Sequence, residues 1–111
     1  MIPNTEYRVE FTNYQTLNIE GFDAVLNFST HATQRAKSRG VYASAVAYMV
    51  EKGFNHILEL KQNTEFILID EDMHVSAICE VESDGEDIII NIISVIDSYR
   101  PINKYTKTFY V

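Results

Sequence analysis

Ile88-Ile89-Ile90-Asn91-Ile92-Ile93-Ser94-Val95-Ile96 is the stretch on which the fold turns. Its apolar, β-branched character is nearly continuous, which marks a strand covered on both faces and therefore central in a sheet. Strict alternation puts Asn91 with Ile89, Ile93 and Val95 on an apolar face, where an amide must find partners or cost about 1–3 kcal/mol. Just before it, Asp84-Gly85 is a turn signal, because glycine accepts the positive φ that a hairpin needs. On the other side of that turn Val75, Ala77, Cys79 and Val81 alternate with Ser76, Glu80 and Glu82, predicting a strand over 74–82. Phe66, Ile67, Leu68 and Ile69 predict another. Asp70-Glu71-Asp72 between them lacks the glycine and closing glutamate of a calcium loop and reads as a hairpin turn.

Farther upstream the period changes from two to that of a helix. Ser29 or Thr30 offers an N-cap oxygen, and Gly40 supplies the left-handed residue that ends a helix over 30–39. A second helix starts near Ala43, with Val46, Met49 and Val50 at helical spacing, and closes at Gly53. The apolar run 22–28 is too short to classify. Residues 7–12 alternate and predict a short N-terminal strand, and 104–111 predict a final one. The expected architecture is α+β: two N-terminal helices packed on one face of an antiparallel β meander of three or four strands, with a short extra N-terminal strand.

Composition agrees with one domain over 1–111: the chain is 46% hydrophobic and 23% charged, with four glycines and two prolines. Cys79 is the sole cysteine, which excludes an internal disulfide and cysteine-rich zinc modules, and its place on an apolar strand face predicts a core residue. His56 and His74 have no flanking ligand pattern, and glycine-rich phosphate loops are absent, so neither metal nor cofactor is expected. No run approaches the roughly 18 apolar residues of a membrane span, and Met1-Ile2-Pro3-Asn4 is unlike a secretory leader. The expectation is a soluble, cytoplasmic protein with no membrane partner.

The net charge of −7 opposes broad nucleic-acid affinity, but the charge is segregated. Residues 29–40 hold Arg35, Lys37 and Arg39 without an acid, residues 98–111 hold Arg100, Lys104 and Lys107 without an acid, and residues 62–97 hold only acids. Most of those acids are read as solvated loop ends and strand exteriors. His31, Arg35 and Arg39 are spaced four apart, so on a helix they share about 80° of arc over roughly 12 Å of axis. Such like-signed neighbours repel by a few tenths of a kcal/mol each, and an anion between them reverses that sign. A solvated helix also carries basic residues of this kind, and the spacing alone favours that plainer account.

The run Phe28-Ser29-Thr30-His31-Ala32, with Arg35, Arg39, Gly40 and Val41, resembles the opening "S-x-H-A-x-x-R-x-x-x-R-G-I" of the DUF4258 family. That family is grouped with the RelE-like RNase fold of the barnase, EndoU and colicin type. The later text from Glu65 to Asp97 resembles its strands, with Ser94 of "IISV" at a position where the family usually has threonine. The resemblance covers about residues 28–97 and does not extend to the first 27 residues or the tail.

The resemblance implies a metal-independent endoribonuclease of the toxin–antitoxin kind, in which the ribose 2′-hydroxyl attacks its own phosphodiester. His31 would transfer a proton, Arg35 and Arg39 would stabilise phosphorane charge through their forked donors, and Ser94 would support a phosphate oxygen or His31. The second proton-transfer group is open among Tyr99, Tyr105 and Glu80. RNA is then the substrate, with an antitoxin as a protein partner. The alternative is a catalytically inactive, acidic protein-binding module of phage or mobile-element type that occupies a basic patch on a host protein.

Overall fold

The computed structural model describes residues 11–83, 87–97 and 107–111. Its elements run β1 (Phe11–Ile19), β2 (Phe22–Ser29), α1 (Thr30–Ser38), α2 (Ala43–Lys52), α3 (Phe54–Leu58), β3 (Glu65–Asp70), β4 (Val75–Ser83), β5 (Ile88–Ile96) and β6 (Lys107–Tyr110). The six strands form one sheet in the order β1-β2-β5-β4-β3-β6.

Residues 22–28, unclassified by pattern, belong to β2, which is paired with β1 through a two-residue turn. Glu20 and Gly21 both have positive φ, 52° and 89°, the conformation of a tight turn whose twist matches the flanking strands. β2 then runs directly into α1, and the helical segment carries the chain to β3. β3, β4 and β5 are successive antiparallel neighbours, so the expected meander is present in these three strands. It is set in a mixed sheet, however, because β2 pairs parallel to β5 and β6 pairs parallel to β3. The helices are also three and follow a β-hairpin. The reason lies in β5, whose two apolar faces favour interior placement and seat it between β2 and β4.

One face of the sheet carries Leu26 and Phe28 of β2, Ile90 and Ile92 of β5, Cys79 of β4 and Leu68 of β3 into a single core. The helices close that core. Ala32 and Ala36 are the buried residues of α1, small enough to bring the helix close over β5 and β2. Val46, Met49 and Val50 of α2 and Phe54 and Ile57 of α3 complete it. α1 ends at Arg39 and Gly40 (φ 69°): the Val41 amide donates to the Ala36 carbonyl at 2.8 Å and Gly40 to Lys37 at 3.3 Å, the paired closing bonds of a left-handed helix stop.

Several expectations hold at the level of elements: the helix starting after Ser29, the helix from Ala43 to the Gly53 cap, the turn after Asp70, the Ile-rich interior strand and the buried Cys79. Of the short strand expected at 7–12, residues 7–10 lie outside the described residues and only 11–12 fall in β1, which runs on to Ile19, well past the expected end; Asp84-Gly85 and the first part of the expected final strand also lie outside the described residues.

Candidate functional site

Ser29 fixes where α1 begins. Its hydroxyl oxygen accepts the Ala32 amide at 2.8 Å as the N-cap and donates to the Ile93 carbonyl at 2.7 Å. Ile93 is the extra residue of a bulge: Ile92 pairs with Cys79 and Ser94 with Ile78, leaving Ile93 without a partner across β4. The helix is thereby tied to the irregular point of the central strand.

The three spaced residues meet different surroundings. His31 and Arg35 are exposed on the outward side of α1, and neither has an ion pair among the described residues. Arg39 is half-buried: its Nη1 donates to the Val95 carbonyl at 2.8 Å and its Nε lies 3.5 Å from Asp97 Oδ1. This residue therefore clips the end of α1 to the end of β5. A guanidinium has five N–H donors, so those contacts leave others for a ligand.

Ser94 is not brought to this stripe. The bulge shifts the alternation by one, so Val95 joins the helix-side core while Ser94 pairs with Ile78 on the opposite face. The support proposed for His31 is thus on the wrong side of the sheet. The same shift separates Asn91 from Val95. Asn91 is on the face away from the helices, where it accepts from Asn27 Nδ2 at 3.1 Å and donates to Glu80 Oε1 at 3.3 Å and Glu82 Oε2 at 3.1 Å. Glu80, one of the three candidates for the second proton-transfer group, is therefore also across the sheet from α1, and Tyr99 and Tyr105 lie outside the described residues.

A cavity of about 310 Å³ opens at the C-terminal end of the stripe. Arg39, Tyr42, His74 and Asp97 line it, with Val41 and Met73 among the apolar walls. His74 closes the β3–β4 turn with φ 59°, a left-handed conformation that glycine or asparagine adopts at less cost. Sequence spacing sets His74 aside as a metal ligand and gives it no other role, because the cavity forms only when the β3–β4 turn meets the α1–α2 junction. Its one available signal is a histidine in place of the usual residues at a turn end.

Behind this region, Asp70 is buried and takes Lys52 Nζ at 2.9 Å and the Met73 amide at 3.1 Å. Burial pushes the Asp70 carboxyl upward, but the Lys52 hydrogen bond and the turn amides outweigh it and hold the group below its ordinary range. Lys52 is raised by the same hydrogen bond and also lies 4.5 Å over the Tyr48 ring. This pair shapes the turn that presents His74.

Compared with protein-family models, curated proteins and solved structures, the chain matches none. No helix among the described residues is long and apolar enough to cross a membrane.

Proposed function

We propose that the chain is an RNA-directed domain of the RelE-like, metal-independent endoribonuclease type. The observation that supports this is the outward side of α1: His31 and Arg35 are unpaired among the described residues, on a helix without acids, in a chain of net charge −7. An RNA phosphate offers the counter-charge this surface lacks.

In this reading a base takes the ribose 2′-proton, the 2′-oxygen bonds to phosphorus, the P–O5′ bond breaks, and an acid protonates the departing 5′-oxygen. The products are a cyclic phosphate and a 5′-hydroxyl. Arg35 holds phosphate oxygens and His31 transfers a proton. Arg39 has a mainly structural part, and the second proton-transfer group stays open between Tyr99 and Tyr105, because His74 lies beside Arg39 at the far end of the stripe, too distant from His31 to act on the same phosphodiester. Ser94 has no part. His31 and Arg39 are about 12 Å apart along the helix, so an RNA strand rather than one phosphate would span the stripe.

The test is incubation of the purified protein with structured and unstructured RNA in EDTA. Cleavage to cyclic-phosphate ends, lost in H31A and weakened about tenfold or more in R35A, supports the reading. Cleavage that requires a divalent metal, or that survives His31→Ala, overturns it.

A second reading, a non-catalytic module for a basic protein partner, is favoured by the face opposite the helices. Glu65 and Glu80 sit directly across β3 and β4, and Asn91 orients Glu80 and Glu82. Carboxylates placed opposite each other cost stability unless a cation comes between them. Salt-sensitive capture of a basic antitoxin or host protein, without RNA cleavage at any pH, would favour this reading.

A further inference from the structure

A second cavity, about 510 Å³ in volume, lies on the flank of α1 away from the His31–Arg35–Arg39 stripe. Taking Ala32 and Ala36 as the inward side, helical spacing puts Thr33 and Lys37 on one flank and His31, Arg35 and Arg39 on the other. Phe28, Ala36, Val41 and Ala43 give the cavity an apolar wall, while Gln15 of β1 and Thr33 place an amide and a hydroxyl at it. Gly40 belongs to the lining as well, and a Cβ there would meet no atom within 4 Å, so the wall is open at that point. The volume falls in the range of small-molecule sites, which are mostly apolar with a few polar groups that fix orientation.

The polar groups have a sign. Among the described residues no acid lines the cavity and Lys37 has no ion pair. Ala43, the first residue of α2, borders it, and no side chain caps that helix start. The ammonium and the positive end of the α2 dipole thus flank an apolar chamber from two sides. A neutral apolar ligand would leave both uncompensated. An inorganic anion would leave the apolar wall bare.

We infer that this cavity binds a small carboxylate with an apolar body, an aryl or medium-chain acid, whose carboxylate meets Lys37 and the start of α2 while its body lies on Phe28 and Val41. The site is independent of the RNA reading and uses none of the residues assigned there.

The test is NMR titration of the ¹⁵N-labelled full chain with 2-naphthoate and decanoate, each beside its neutral amide. The expected result is saturable shifts confined to Gln15, Phe28 and residues 33–43, with the carboxylates binding about tenfold more tightly than the amides. Lys37→Gln reduces that preference severalfold, the start of α2 retaining the rest, while leaving amide binding unchanged, and Ala43→Phe, which adds bulk to the lining, blocks both. Both positions are exposed, and an unchanged amide fingerprint elsewhere checks the fold. Absence of saturable shifts with either acid overturns the proposal, as does equal loss of acid and amide binding in K37Q. RNA cleavage by the same variants remains at the wild-type rate whether or not the cavity binds acids, so the two readings fail separately.

Discussion

Ser29 and Ile93 are joined by a 2.7 Å hydrogen bond from the Ser29 hydroxyl to the Ile93 carbonyl, and the same oxygen caps α1 through Ala32. One buried side chain thus serves a helix start and a strand bulge at once. Ser29→Ala removes the cap, typically worth about 1 kcal/mol, and strands a carbonyl and an amide, so the expected loss is about 2–3 kcal/mol. Urea unfolding followed by circular dichroism measures it. A loss below about 0.5 kcal/mol would mean that the bulge is satisfied in another way.

Arg39 contributes mainly through the Val95 carbonyl, since Asp97 is exposed and an exposed ion pair is worth little. R39A is expected to lose about 1–2 kcal/mol and D97A less than about 0.5 kcal/mol. Equal losses in the two variants, read from unfolding midpoints, would reverse that assignment.

Lys52 and Asp70 make stability depend on pH at both extremes. Asp70 is held below its ordinary 3.8, so its contribution is complete above that value and disappears as pH falls through the lower folded value. Lys52 is raised above 10.5, so its contribution is complete below that value and is lost as pH climbs past the folded one. Lys52→Met leaves a buried carboxylate unpaired and should cost about 2 kcal/mol at neutral pH, moderated because Lys52 keeps about a third of its surface in water. The difference from wild type should shrink below about pH 3.8. A difference constant from pH 7 to pH 2 would contradict the assignment.

Gly53 caps α2 with φ −97°, so a side chain there faces a packing limit, not a backbone one. An added Cβ would stand 2.9 Å from Val111 Cγ1 and 3.2 Å from Leu68 Cδ2. Gly53→Ala is expected to destabilise by about 1 kcal/mol, and Val111→Ala in the same chain should recover part of that loss. Additive losses in the double-mutant cycle would show that Val111 is not the obstacle.

Cys79 is fully buried, and burial pushes its thiol well above the ordinary value. The native thiol should therefore be inert to a disulfide reagent at pH 8 and react at once in denaturant. Rapid labelling of folded protein would show that β4 opens.

The local chemistry of the chain determined much of this architecture. The Gly40 and Gly53 stops bound the helices because a left-handed turn and a helix end are decided by a few neighbouring residues. The Ile-rich strand declared its interior place in the strand order, between β2 and β4, because a nearly continuous β-branched apolar run fits poorly at an open edge, although its face away from the helices is only partly covered. Glu20-Gly21 held a legible hairpin signal that the short apolar run after it obscured, and α3 was too short for its period to stand out.

Tertiary structure alone decided where the site residues went. Periodicity reports relative facing only while a strand stays regular, and the bulge at Ile93 reverses that facing for Ser94 and Val95. A bulge arises from pairing with β4 and from a hydrogen bond 64 residues away in sequence, so neighbouring residues do not encode it. The engagement of Arg39, the placing of His74 beside it and the chamber beside Lys37 likewise depend on elements distant in sequence meeting in space. The sequence set which side chains share a helix flank, and the packing of that helix on the sheet set what each flank meets.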